Sequence, residues 1–220
     1  MANPKGTILL TGANGGLGCG IVSKIISTPE LAQYHGVYVV RNASVASALK
    51  STLKKAPASH SYEILPLELS LLANIKRMAE SLFLVATLTR ELQRRLDTDP
   101  VLKNISITGI DPGTMGTGLV RRGNWFTRVL LWPIILPLLA PLLTWLQPNG
   151  DVRTIGKSSA DVLTAAFETG SEVRGKYFNG SEPQEVVPEA ANIKKRAMVW
   201  RDSVKYAQLT EQDTTLVNWT

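Results

Sequence analysis

The sequence predicts an α/β fold with a parallel sheet, and three observations predict it. Short β-branched or apolar runs alternate with helix-like segments from Thr7 to Leu67. A glycine-rich turn, "TGANGGLG", closes the first run and opens the first helical segment. The order strand, helix, strand, helix, strand is the signature of parallel strands joined by helical crossovers. At 220 residues the chain is long enough for a sizeable core, and a single domain over 1–220 is expected.

The elements follow in order. Thr7 to Thr11 is a short buried strand ended by Gly12, and a helix runs from about Gly16 to Ser27. Val37 to Val40 is the second strand, Val45 to Lys54 a second helix, and Tyr62 to Leu67 a third strand. "LSLLANIKRMAESLFLVATLTRELQRRL" carries apolar residues at Leu71, Ile75, Met78, Leu82, Val85, Leu92 and Leu96, which predicts one long amphipathic helix. "TDP" ends it. Ile105 to Ile110 is then a strand leading into "DPGTMGTG", a turn of the kind that meets a ligand. Lys157 to Glu168 is a helix with Ser158 or Ser159 as its N-cap. Lys176 to Asn179 is a last short strand, and Pro188 to about Tyr206 a terminal helix with Pro188 near its first turn.

Composition removes several function classes. The net charge of +6 comes from scattered Lys and Arg, with no nucleic-acid-binding signature, so no nucleic-acid partner is expected. Cys19 is the only cysteine, which excludes a disulfide framework and a cysteine-based zinc site. His35 and His60 have no metal-ligand spacing around them, and no metal is expected. No secretory signal pattern is visible, so the expected location is cytoplasmic.

The glycine turn carries the chemistry. Gly12 lets the chain turn sharply off the strand, Gly16 lets backbone approach a pyrophosphate, and Gly18 lets the helix pack close to the sheet. The helix N-terminus then offers free N–H groups and a partial positive charge to an anion. An acid at the end of the second strand would favour NAD. This strand ends "VYVVRNAS", which puts Arg41 there, and a guanidinium can grip a 2′-phosphate. NADP(H) is therefore the expected cofactor. Cys19, in the first helical turn, is expected to be a packing residue rather than a reactive thiol.

These motifs resemble the short-chain dehydrogenase/reductase family. "TGANGGLG" resembles its Thr-Gly-x-x-x-Gly-x-Gly turn, with Thr11, Gly12, Gly16 and Gly18 in place and Asn14 and Leu17 within it. "PLELS" resembles the end of the family's third strand, with Glu68 beside the adenine. "ISITGIDPGTMGTGL" resembles its Pro-Gly segment, which implies Pro112 and Gly113 by the nicotinamide and Thr117 by its phosphate. The tail through "GKYFNG" follows the family in order. The resemblance implies a Rossmann-like, doubly wound parallel sheet and an oxidoreductase of the fungal secondary-metabolism type.

The middle of the family pattern is absent. The family carries a strand ending in Asn-Asn-Ala-Gly, an active-site Asn, a catalytic Ser and a Tyr-x-x-x-Lys helix before its Pro-Gly segment. Here the five tyrosines are Tyr34, Tyr38, Tyr62, Tyr177 and Tyr206, and none has Lys four residues later. "TRELQRRL" resembles the end of the Tyr-Lys helix, which places the Lys position near Leu82 and the skipped block around Ser81 to Phe83. Proton delivery by that tyrosine is worth ~10²–10⁴-fold, so the catalytic residues are unassigned; in a non-redox role for the shortened chain, Asp111 and Glu68 are the candidate general acids. The sheet, reduced in strand number, is expected to run third, second, first, Ile105 strand, last strand.

One segment stands apart. Val129 to Leu146 is uncharged and long enough to span a bilayer, with Trp125, Trp132 and Trp145 near its ends and Arg121, Arg122 and Arg128 ahead of it. Pro133, Pro137 and Pro141 argue against a regular helix. The region at about 121–150 is expected to be an apolar lid over a hydrophobic substrate, with membrane-surface contact through 125–146, or a true span, as alternatives. The expected activity is NADP(H)-dependent oxidoreduction of a carbonyl or alcohol of a hydrophobic small molecule. The alternative is a catalytically incomplete protein with a binding, accessory or non-redox role. Oligomeric state is left open.

Overall fold

A computed structural model describes residues 4–66, 82–116, 127–167, 173–185 and 188–219. Two compact units emerge, each assembled from two stretches of chain: 1–68 with 112–163, and 69–111 with 164–220.

In the first unit, β1 (Thr7–Thr11), β2 (His35–Val40) and β3 (Tyr62–Pro66) form a parallel sheet with β2 in the centre. The register pairs Leu9 with Val37 and Tyr38 with Ile64. β2 begins two residues earlier than the apolar run, because Gly36 can pair on both sides. α1 (Gly16–Ser27) and α2 (Ser47–Leu53) cover one face. Their Val22, Ile26, Leu49 and Leu53 pack on Tyr38 and Val40 to make the core of this unit. Central position explains why β2 is nearly all buried whereas edge-strand Leu9 is 64% exposed.

The same unit holds the apolar segment. It forms a π-helical stretch, Thr127–Ile135, that continues as α4 (Leu136–Leu146). Pro141 lies inside α4, where it removes one backbone donor, while the other two prolines fall where the helical ladder is less demanding. Pro133 sits in the π-helical stretch, where the i→i−4 ladder is already relaxed, and Pro137 lies in the first turn of α4, where no donor is needed. α5 (Ile155–Phe167) follows. Its cap is Thr154, whose Oγ1 accepts from the Lys157 N–H at 3.2 Å, and not Ser158 or Ser159. Both serines lie inside the helix, fully buried.

In the second unit, α3 (Leu82–Thr98) is the described part of the long predicted helix; Leu69 to Ser81 lie outside the described residues. The second sheet has β4 (Gly109–Asp111) parallel to β5 (Tyr177–Asn179), with β6 (Glu182–Pro183) antiparallel to β5. Among the described residues the strands form two three-stranded sheets, one within each unit, where the sequence predicts one of five strands. The Ile105 strand shrinks for a local reason. The Ile107 N–H donates to Gln93 Oε1 at 2.7 Å, and the Ile105 carbonyl accepts from Gln93 Nε2 at 3.2 Å. Side-chain partners have replaced a strand ladder there.

α6 (Ile193–Ala207) starts later than Pro188, which belongs to a separate 3₁₀ turn, Pro188–Ala191. Asn192 caps α6 by accepting from the Lys195 N–H at 3.1 Å. α3 and α6 share a polar core. Glu91, fully buried, pairs with Arg94 at 2.6 Å and Arg95 at 3.0 Å, and Arg196 lies 3.9 Å away. Burial pushes the Glu91 carboxyl up, but hydrogen bonds and charge from Arg94 and Arg95 hold it below its usual value. The Arg95 guanidinium also stacks 4.7 Å from the Trp200 ring and donates to the Asn218 carbonyl.

Candidate functional site

The turn after β1 is shaped by backbone contacts. Gly12 has φ +69°, a conformation that costs an L-residue ~1–2 kcal/mol. Its carbonyl accepts from the Gly15 N–H at 2.9 Å, and the Ala13 N–H donates to the Val39 carbonyl at 3.2 Å, pinning the turn to β2. A Cβ on Gly18 would lie 2.4 Å from the Gly12 oxygen and 2.8 Å from Ala13 Cα, so only glycine lets α1 begin this close to the strand end. α1 starts without a side-chain cap and without an acid in its first turn. The helix start lies at an exposed turn, and the first N–H groups of a helix have no intrahelical partner to satisfy them. Gly12, Gly15 and Gly16 are exposed, whereas Leu17 is half-buried and Gly18 buried. The turn thus fits a dinucleotide.

Asn14 is tied to a second element. Its Oδ1 accepts from the Leu49 N–H at 3.0 Å, which ties the turn to the first turn of α2. Arg41 is exposed just past the end of β2, and Thr11 is exposed at the end of β1. Thr11, Gly12, Asn14, Gly16, Leu17, Gly18 and Arg41 are therefore gathered at the carboxyl ends of parallel strands, where α/β sheets bind ligands. Glu68 and Thr117 lie outside the described residues.

Pro112 and Gly113 belong to the same unit. The Pro112 carbonyl accepts from Ser158 Oγ on α5 at 2.6 Å. The Thr114 N–H donates to the Asp151 carbonyl at 2.6 Å, and the Arg153 N–H donates to the Thr114 carbonyl at 2.9 Å. α5 also meets α1: a Cβ on Gly20 would lie 2.4 Å from Ser159 Oγ. One helix thus anchors both the Pro-Gly segment and the helix that follows the glycine turn. Arg153 was invisible in the sequence. It is 1% exposed, with Nε donating to the Gly150 carbonyl and Nη2 to the Asn149 carbonyl, each at 2.9 Å. A cation inside a carbonyl cage leaves no pattern in a lone sequence.

Two tyrosines, Tyr38 and Tyr177, are buried. Tyr38 is fully buried against His60 Nε2 at 2.9 Å, and burial pushes its hydroxyl up to about 12. Tyr177 is raised by burial and by the Asp111 charge. A proton-delivering tyrosine needs the opposite shift. Asp111 is exposed at the end of β4 in the second unit. Cys19 donates Sγ–H to the Ala13 carbonyl at 3.3 Å, and burial raises its thiol, in keeping with packing rather than reactivity. Among the described residues no cluster of His, Cys, Asp and Glu could hold a metal.

The parallel sheet, the glycine turn and α1 define a protein of the Rossmann-like α/β class. Over 150 residues the chain is 44% identical to the protein named Short-chain dehydrogenase iccH of Talaromyces variabilis, a match that covers 67% of this chain and 41% of that protein. The chain belongs to the short-chain dehydrogenase/reductase family. It spans less than half of that relative's length. No family model matches.

Proposed function

We propose that this chain is the nucleotide-binding part of an NADP(H)-linked short-chain oxidoreductase acting on a carbonyl or alcohol of a hydrophobic small molecule. The observation that carries the reading is the Gly12–Gly18 approach, where an added Cβ on Gly18 would stand 2.4 Å from the Gly12 oxygen, at a helix start with no side-chain cap. Gly12, Gly16 and Leu17 would hold the pyrophosphate, with Gly18 allowing the approach. Arg41 would select the 2′-phosphate, and Pro112 and Gly113 would border the nicotinamide. The cofactor supplies hydride. Family likeness and the turn geometry support this reading; the substrate and a role in secondary metabolism are inferred from resemblance.

A second reading has its own observation. No tyrosine here precedes a lysine by four residues, and both buried tyrosines are harder to ionise than usual. As written, the chain then binds NADPH without turning it over. Titration with NADPH and NADH, followed by nicotinamide fluorescence, tests the first reading. Saturable binding with an NADPH preference is expected, and no binding of either nucleotide would overturn it. Oxidation of NADPH with a ketone panel separates the second reading from an intact catalyst.

A further inference from the structure

We propose that the outer face of Val129–Leu146 is a membrane anchor lying in the plane of an anionic bilayer. A helix on the surface of a globular unit is expected to turn a polar face to water. This one has none. Leu138, Leu139, Leu142, Leu143, Trp145 and Leu146 are all exposed, with Leu138 at 73% and Trp145 at 77%. Only 11% of the segment is buried, so it is not a core helix of the unit, and its place in mid-chain is not that of a signal sequence. An apolar patch this continuous marks a partner surface.

Charge says which partner. From Pro112 to Gly150 the sequence contains no Asp or Glu, while Arg121, Arg122 and Arg128 precede the apolar run. Trp145, exposed on this face, is a side chain favoured at a membrane–water interface. Apolar burial plus basic charge is the pairing that binds anionic lipid.

Attachment decides the orientation. Leu136, Ala140 and Thr144 form the inner stripe of α4. Ala140 is 4% exposed, and Thr144 Oγ1 accepts from the Thr154 N–H at 3.0 Å. Pro137 Cγ lies 3.1 Å from where a Gly116 Cβ would stand. A helix held along one side by its own unit cannot cross a bilayer without dragging polar backbone into it. It can sink its outer face into one leaflet.

The test is flotation of the full chain with phosphatidylcholine vesicles, with and without phosphatidylserine. The chain is expected to float with the phosphatidylserine vesicles and much less with phosphatidylcholine alone. Leu138→Lys with Leu142→Lys is expected to lower the bound fraction at least tenfold, with its circular dichroism unchanged. Failure to float overturns the proposal, as does flotation that is equal with and without phosphatidylserine. A dimer that the double variant dissociates, without flotation, assigns the face to a second copy and also overturns it. Should the lysine variant misfold, brominated-lipid quenching decides. Trp145→Phe is expected to lose part of the quenching seen in the parent, and equal quenching in both overturns the proposal.

Discussion

Gly12 and Gly18 sit in one turn but are glycine for different reasons, and substitution separates them. Gly12 has open space around its missing Cβ and only its φ of +69° at stake. Gly12→Ala is therefore expected to cost ~1–2 kcal/mol in urea unfolding. Gly18→Ala drives a methyl into rigid backbone at 2.4 Å. It is expected to cost more than Gly12→Ala, up to about 3 kcal/mol, and to abolish nucleotide binding. An equal cost for the two would show that the close approach is not the constraint. Asp99 is the other informative residue. Hydrogen bonds from the Val217, Leu102 and Val101 N–H groups hold its carboxyl below the usual value. A lowered folded-state pKa contributes stability that is present above the unfolded value and lost as pH falls through the folded one. As pH falls from about 4 toward the lowered folded value, the segment around Val217 is expected to release from Asp99, read as a loss of Val217 amide protection relative to its intrinsic exchange rate. Asp99→Ala is expected to show fast exchange already at neutral pH.

At the scale of elements, caps and buried pairs set where helices begin and how they meet. Asn192→Ala removes the cap of α6 and is expected to cost ~1 kcal/mol, while Asn192→Asp retains stability. Glu91→Gln leaves Arg95, 6% exposed, without its carboxylate. It is expected to cost about 3 kcal/mol, since breaking a buried pair strands the remaining charge. Thermal unfolding checks both, and the Glu91 variant should also loosen the Trp200–Trp219 contact, where Trp200 Nε1 donates to the Trp219 carbonyl at 2.6 Å. α1, β1 and β3 were legible because each is short, periodic and bounded by its own signals. The starts of α5 and α6 were misplaced for one shared reason. In each a local signal pointed elsewhere: Ser158 and Ser159 compete with Thr154 as caps of α5, and Pro188 opens a 3₁₀ turn ahead of the Asn192 cap of α6.

For the whole molecule, the decisive feature is the missing block. The 220-residue chain is expected to bind NADPH and to show no ketone-dependent oxidation of it. A form of the protein carrying a Ser and a Tyr-x-x-x-Lys helix between Ser81 and Phe83 is expected to turn over. Intact mass of the native protein, with an NADPH-oxidation assay, checks this, and turnover by the short chain would refute it. The nucleotide end of the candidate site was legible, because Thr11, Gly12, Gly16 and Gly18 are contiguous and their chemistry is carried by backbone. The roles of Asn14 and Arg153 were not, because each depends on a partner distant in the chain or on main-chain carbonyls that any residue could supply.

By itself the sequence determined the α/β class, the glycine turn, the charge at the end of β2 and the loss of the catalytic tyrosine and lysine. These are local matters of residue type and spacing. Tertiary structure alone decided the division into two three-stranded sheets, the shortening of the Ile105 strand and the helicity of the proline-rich segment with its apolar outer face. Strand pairing and burial depend on which distant groups compete for a backbone hydrogen bond. Gln93 won that competition at Ile105 and Ile107, and no local pattern around those isoleucines records it.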